Sequence, residues 1–356
     1  MKLPFIALLL LLTGNTLAQN TIAFADSIRK EYRIPELNYA VVSADSVYEL
    51  QALGTRKVNT DFIATINDRF CIGSNTKAIT GFIATQLVKA GKLSWYTKFF
   101  DLFPEMKNDN NKPYQDLTLL ELLAFRANLS PYTYTNEIPT QDQFTGSEDT
   151  QRYQFAKWFF DQEPVNSDAP IIFSNLDYVA AGLMLERASG KSYKTLVNEL
   201  GANLGITFGF GRPNVYDSLE TWGHDAHLIP EAPATDNYRL NWLQAAGNIN
   251  ITLPDYIKFI QLQLKGLAGK SDVLPQKTFM FLHYGLPQFS VGWFSDVDSA
   301  NGRYSYNEGN PGTFLSKVYV FKDINRAFII FSNVQSDRAE IGMDALFDYL
   351  VDEYGR

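Results

Sequence analysis

The placement of its strand-like segments is what most constrains how this chain can fold. Alternation of apolar and polar residues, the pattern of a half-buried strand, occurs near the amino end in "LNYAVVSADSVYELQALG" (37–54) and briefly in "RFCI" (69–72). It returns only far along the chain, in "FSVGWFSD" (289–296), "GRYSYNEG" (302–309), "LSKVYVFKD" (315–323) and "RAFIIFSNV" (326–334). Between them, residues 76 to about 244 carry mostly helical patterns joined by polar loops, among them "LTLLELLAF" and "SNLDYVAAGLMLERASG". Strands need partners for their backbone polar groups. One sheet assembled from both ends of the chain is therefore expected, with the middle inserted as a helical subdomain. The predicted class is α/β plus all-α, with a sheet part over about 19–75 and 245–356 and a helical part over about 76–244. Amphipathic helices are expected at the two ends. One covers 21–33 and stops before Pro35; the other starts near Asp337, with Ala339, Met343, Leu346, Phe347, Leu350, Val351 and Tyr354 as its apolar stripe. A cleft is expected where sheet and helices meet.

Composition narrows the setting. The first twenty residues, "MKLPFIALLLLLTGNTLAQN", place one lysine before an apolar run that is too short for a membrane span. This reads as a secretory signal over 1–18, so a periplasmic or secreted protein is expected. No cysteine follows the run, so a lipid anchor is not indicated, and no membrane anchor is expected after cleavage. The net charge of −8 comes without a basic cluster, which argues against nucleic acid as a partner. Cys71 is the single cysteine and has no partner for an internal disulfide. Its apolar neighbours Phe70 and Ile72 favour a buried, inert thiol. His224, His227 and His283 have no carboxylate or cysteine cluster of ligand spacing around them, so neither a metal nor a cofactor is implied.

The chemistry centres on "RFCIGSNTKAITGFIATQLV", where Ser74 stands at a strand-to-helix turn and Lys77 follows three residues on. Positions i and i+3 share a helix face, so the amine can approach the hydroxyl. The helix start supplies free N–H groups and a positive dipole end, both suited to a developing oxyanion. A desolvated lysine can lose its proton and serve as base. Ser-x-x-Lys alone is weak: Ser27 and Lys30 repeat the spacing inside the first helix. Ser74 differs in following Gly73 and preceding a helix that Ile79, Phe82, Ile83, Leu87 and Val88 should bury. From these residues alone, Ser74 is either a nucleophile or a helix cap.

The stretch resembles the "IGSxTK" element of the serine β-lactamase and penicillin-binding-protein superfamily. It is most similar to the branch of class C β-lactamases, D-alanyl-D-alanine carboxypeptidases, D-aminopeptidases and related esterases. Four further segments resemble the family in the right order: "LTLLELLAFRANLSPY", "IIFSNLDYVAAGLMLERASGKSY", "WLQAAGNINITLPDYIKFIQLQLKG" and "NEGNPGTFLS". The resemblance implies a β-lactamase-like fold over 19–356, an antiparallel sheet flanked by the terminal helices with an inserted helical subdomain, together with an acyl-enzyme on Ser74 and Lys77 as base. It also implies an oxyanion hole made by the backbone N–H groups of Ser74 and Asn310.

Two motifs depart from the family pattern. The family's Tyr-x-Asn is Phe173-Ser174-Asn175 here, which removes a proton-carrying hydroxyl; Ser174 should point away from the cleft. The family's Lys/His-x-Gly is Asn307-Glu308-Gly309, which replaces a cation or imidazole with an amide. His283-Tyr284-Gly285 spells the same motif but precedes the strand that should come first, and reads as coincidence. Asn128 stands where the family's "SGL" has glycine, and asparagine tolerates positive φ there. Tyr132, Tyr134 and Tyr306 are candidates to replace the missing hydroxyl. Two functions follow as expectations. One is an exported serine hydrolase acting on an ester, a D-amino-acid amide or peptide, or a β-lactam, with Phe173, Asn175, Asn307, Gly309 and Asn310 as supporting or substrate-binding residues. The other is an impaired relative that binds a cell-wall fragment or similar ligand. Oligomeric state is left open.

Overall fold

The computed structural model describes residues 19–234 and 238–355; the expected export signal, 1–18, lies outside the described residues. Six strands form an antiparallel sheet in the order β2-β1-β9-β8-β7-β6. They are β1 (Glu36–Val42), β2 (Val47–Gly54), β6 (Phe294–Asp298), β7 (Gly302–Gly309), β8 (Leu315–Phe321) and β9 (Arg326–Ser332). The sheet thus joins the two ends of the chain: β1 pairs with β9, Leu37 opposite Ser332 and Val42 opposite Ala327.

Every residue of β1 is buried, because the sheet is covered on both faces. Leu37, Tyr39 and Val41 pack into one cluster with the terminal helices, 19–31 and Asp337–Tyr354. Within it Ala339, Met343, Leu346 and Leu350 are buried, and Phe24 stacks on Tyr349 at 4.1 Å. Ser336 caps the last helix, its Oγ accepting from Ala339 N at 3.0 Å. Ala40 and Val42 face the other way into the main core, where Tyr256 of helix Leu253–Leu267 meets Phe331 of β9.

Two features depart from the expected layout. The segment 289–293, which alternates like a strand, is a turn, and β6 begins only at Phe294. Ser290 N donates to Trp293 O and Ser290 Oγ to Phe281 O, so this backbone is satisfied locally rather than by a ladder. A second, three-stranded sheet, β3-β5-β4, also forms from β3 (Arg69–Cys71), β5 (Ile249–Thr252) and β4 (Gly209–Phe210). Its β4 lies within the part expected to be helical. The small sheet matters for the site, since pairing β5 with β3 sets residues 246–248 beside the turn that carries Ser74.

Candidate active site

Ser74 lies in a single 3-10 turn, Gly73–Asn75, between β3 and helix Thr76–Lys89. Gly73 has φ of 49°, and a Cβ there would fall 2.7 Å from Asn310 N, so the turn needs glycine on both counts. From β8, Ser316 pins the turn: Asn75 Nδ2 donates to Ser316 Oγ at 2.7 Å, and Ser316 Oγ to Ile72 O at 2.8 Å. The end of β7 presses on the same turn, where a Cβ on Gly309 would sit 2.0 Å from Ile72 O. Ser74 is therefore held from below and from the side while remaining partly exposed.

Lys77 is buried, with 1 % of its surface exposed. Its Nζ lies 2.8 Å from Ser74 Oγ, 2.7 Å from Asn175 Oδ1 and 2.8 Å from Ala246 O. The last acceptor was not legible as a site group. It belongs to the short helix Gln244–Gly247, whose final carbonyls have no partner within the helix. Helix Thr76–Lys89 supplies them: Lys77 reaches Ala246 O, and Thr80, one turn on, reaches Ala245 O at 2.7 Å. The only available signal was the i, i+3 spacing of Lys77 and Thr80, since a main-chain acceptor leaves no mark in sequence.

Burial lowers the Lys77 pKa to about 7; the carboxyl of Asp177 opposes that shift. Asp177, itself buried, is pushed well above the usual carboxylate range by desolvation, with Lys77 acting against it. The pair thus favours neutral groups over a buried ion pair. Protonated, Lys77 has three donors for its three neighbours. Neutral, it keeps two N–H groups for Asn175 Oδ1 and Ala246 O and turns its lone pair to the Ser74 hydroxyl. Either state satisfies every bond, and the neutral one is a poised base. Asn175 must then present Oδ1 to the lysine, which leaves its Nδ2 toward the cleft.

A cleft of about 340 Å³ opens from Ser74 and is lined by Tyr134, Phe173, Asn175, Glu308, Gly309 and Asn310, among others. The Phe173 ring centroid is 5.1 Å from Lys77 Nζ, and the ring is 37 % exposed. Ser174 points away, its Oγ donating to Ser130 O at 2.7 Å. Asn128 adopts φ of 54° in the wall loop. Of the three candidate tyrosines, Tyr134 alone lines the cleft, its hydroxyl donating to Asn310 Oδ1 at 3.1 Å. Tyr132 is buried against Phe155, and Tyr306 stacks between Phe294 and Tyr319.

Asn307 does not line the cleft. It is buried and donates from Nδ2 to Gly292 O at 2.7 Å, bracing the turn before β6. Because strand side chains alternate, Asn307 and Glu308 face opposite ways, and of that motif Glu308 and Gly309 line the cleft. Its neighbours there, Lys317 and Glu340, were likewise not anticipated.

The remaining candidates fall elsewhere. Burial raises the Cys71 thiol to about 12, and its Sγ contacts Gly211 O. His224 is buried, with Nε2 accepting from Val58 N and Nδ1 2.8 Å from Asn333 O; His227 is exposed. His283 is buried on helix Gln276–Tyr284, Nδ1 2.6 Å from Ser305 Oγ, and burial lowers it to about 3. Among the described residues no three His, Cys, Asp or Glu side chains are placed to share a metal ion, and no helix is long and apolar enough to cross a membrane. A larger hollow of about 530 Å³, beside Lys194 and Arg212, holds ion-paired side chains but no serine or cysteine nucleophile.

Known proteins resemble this chain along most of its length. Residues 21–351 match the family described as Beta-lactamase. "Protein flp" of Staphylococcus aureus (strain COL) is 22% identical over 312 residues, which is 85% of this chain but 60% of that protein's length. The match therefore spans about three fifths of that relative. A class C β-lactamase from Rhodobacter sphaeroides superposes with a TM-score of 0.73 at 15% identity, covering 93% of this chain and 99% of the other. A D-alanine carboxypeptidase AmpC from Burkholderia cenocepacia gives 0.72 at 16% identity, covering 94% and 100%. With the family matched over nearly its whole length and the same fold shared by both enzymes, this chain belongs to the β-lactamase family of serine hydrolases.

Proposed function

We propose that this protein is an exported hydrolase that forms an acyl-enzyme on Ser74, with neutral Lys77 as general base, and then deacylates with water. The observation that carries the reading is Lys77 Nζ, 2.8 Å from Ser74 Oγ, buried and brought down to about 7. In acylation Ser74 Oγ bonds to the substrate carbonyl carbon and its proton passes to Lys77 Nζ. The carbonyl oxygen takes up the negative charge, opposite the backbone N–H groups of Ser74 and Asn310. When the tetrahedral centre collapses, the bond to the leaving group breaks and Lys77 returns the proton to it. Water repeats the cycle on the acyl-enzyme and frees Ser74. Esters, D-amino-acid amides and peptides, and β-lactams are the substrate classes that suit such a site. Export rests on the apolar run after Lys2.

A second reading, a ligand-binding relative without turnover, is favoured by Phe173, which brings a ring and no hydroxyl over Lys77. A fluorophosphonate probe followed by intact mass separates the two. One label on the wild type and none on Ser74→Ala is expected. Equal labelling of both, or no labelling of a folded wild type, rejects the nucleophile.

A further inference from the structure

The walls of the Ser74 cleft differ in charge. At the end formed by β7 and β8, three ionised side chains line it: Glu308, Lys317 and Glu340. Glu308 and Lys317 stand directly opposite each other in the sheet. Lys317 is 4 % exposed and already engaged, with Asp344 on one side and Glu308 Oε1 at 3.4 Å on the other. Its charge is spent within the protein. Two carboxylates, on Glu308 and Asp344, pair with that single ammonium, and Glu340 adds a third to the cleft lining, so this end carries a net negative charge.

Glu308 is also held in place. Its Oε1 accepts from Tyr319 OH at 2.9 Å and lies beside Lys317, which fixes the carboxylate. Its Oε2 has no protein partner among the described residues, and the side chain is 42% exposed. An anchored carboxylate with one free oxygen on the wall of the nucleophile's own cleft is a receptor for a cation.

We infer that Glu308 selects the substrate of the Ser74 site, favouring an ester or amide that carries an ammonium group near its scissile carbonyl and disfavouring one that carries a carboxylate there. An ammonium can donate to Glu308 Oε2 without displacing any bond in the wall. A carboxylate meets Glu308 and Glu340, and could reach Lys317 only by breaking its bond with Asp344 or Glu308. The overall charge of −8 acts in the same direction at longer range. This inference rests on the hydrolase reading above for its kinetics but not for its binding.

Two matched sets of activated esters test it, one varying the acyl group and the other the leaving group. Each set has a protonated dimethylammonium, which keeps an N–H, an isopropyl and a carboxylate member. In at least one set kcat/KM should fall in that order, with about three- to tenfold between cationic and neutral members at low salt, the size of one partly exposed charge pair. The gap should narrow as salt is raised. Glu308→Gln keeps an acceptor for Tyr319 OH, so it should fold, and should compress the ratio toward one; Glu308→Lys should reverse it. Equal rates across both sets, a carboxylate preference, or a cation preference untouched in Glu308→Gln overturns the inference. Calorimetry of Ser74→Ala with the matching stable amides reads the same selection without chemistry. If no ester is turned over yet the cationic amide binds more tightly, the hydrolase reading falls and the charge selection stands; if the amides bind without charge preference, the selection falls too.

Discussion

The two sides of this cleft are built in opposite ways. On the Ser74 side the side chains beside the serine are tied down: Lys77 to three acceptors, Asn75 through Nδ2 to Ser316, and Ser316 to Ile72. On the facing side the groups turned to the cleft keep bonding capacity unused or have none. Phe173 offers a half-open ring, Glu308 leaves an oxygen free, and Asn307 has turned to Gly292 O. The contrast separates what the reaction needs from what a substrate needs. A base 2.8 Å from its hydroxyl is useful only if it cannot wander, whereas the opposite wall can be rewritten without loosening it.

The largest expected effect comes from breaking the committed side. Lys77→Arg keeps a cation but cannot supply a neutral base. Acylation of an activated ester should fall by roughly 10² to 10⁴, the usual worth of a positioned base, in a protein that still melts cooperatively. In the wild type the acylation rate should rise with pH along one ionisation near 7, because the neutral amine is the active form. Stability should move with it. From about 7 up to the ordinary lysine value of 10.5, the unfolded chain holds more protons at this site than the folded one, so stability rises with pH across that window. A Lys77→Met protein should lack that rise. Full activity in Lys77→Arg, read by stopped-flow acylation, would remove Lys77 from the mechanism.

A smaller and opposite effect is expected from restoring the rewritten side. Phe173→Tyr adds a hydroxyl to a ring whose centroid is 5.1 Å from Lys77 Nζ and which is 37 % exposed, so the new oxygen need not be buried without a partner. Acylation of an activated ester or chromogenic cephalosporin should rise by about tenfold, within the range of a general base, with little change in melting temperature. A stable variant with no gain would mean that Lys77 alone sets the rate or that the cleft serves binding. Returning a base to position 307 is not an equivalent repair, because that side chain is buried under the wall and its bond to Gly292 O would be lost.

These two sides were unequally legible in the sequence. Ser74 and Lys77 stood out because a strand, a glycine turn and an apolar helix fix their spacing locally, and the joining of distant strands followed from the alternation in 37–54 and 302–334. The opposite wall depends on which face of β7 meets solvent. Period two places Asn307 and Gly309 on one face and Glu308 on the other, but both Asn307 and Glu308 are polar, so the pattern does not say which looks into the cleft. The pairing of β6 with β7 ends at Tyr306, leaving residues 307–309 without a paired strand on that side, and this is a tertiary fact. The turn at 289–293 resembles a strand in sequence for a related reason: Phe289, Val291 and Trp293 alternate and are buried, yet their burial comes from packing in the core rather than from a ladder. The Ala246 carbonyl is marked only by the i, i+3 spacing of Lys77 and Thr80, since every residue has a carbonyl.

The smallest expected effect decides which tyrosine belongs to the cleft. Sequence alone left Tyr132 and Tyr134 equivalent, two residues apart in one loop. In the structure Tyr134 donates to Asn310 Oδ1 at 3.1 Å within the cleft, and Gly312 N donates to the same oxygen at 3.0 Å. Tyr134 thus helps hold the residue whose backbone N–H is assigned to the oxyanion. Tyr132 is buried, its ring 5.2 Å from that of Phe155, with no part in the cleft wall. Tyr134→Phe loses one neutral hydrogen bond of about 0.5–1.5 kcal/mol. If that bond positions Asn310 for the transition state, acylation should slow by about two- to tenfold while the melting temperature stays near wild type. Tyr132→Phe should leave the acylation rate within about twofold of wild type, since the hydroxyl it removes lies outside the cleft. Stopped-flow acylation of both variants beside their melting curves gives a two-by-two comparison. Should Tyr132→Phe slow acylation and Tyr134→Phe leave it unchanged, the wall described here would be the wrong one.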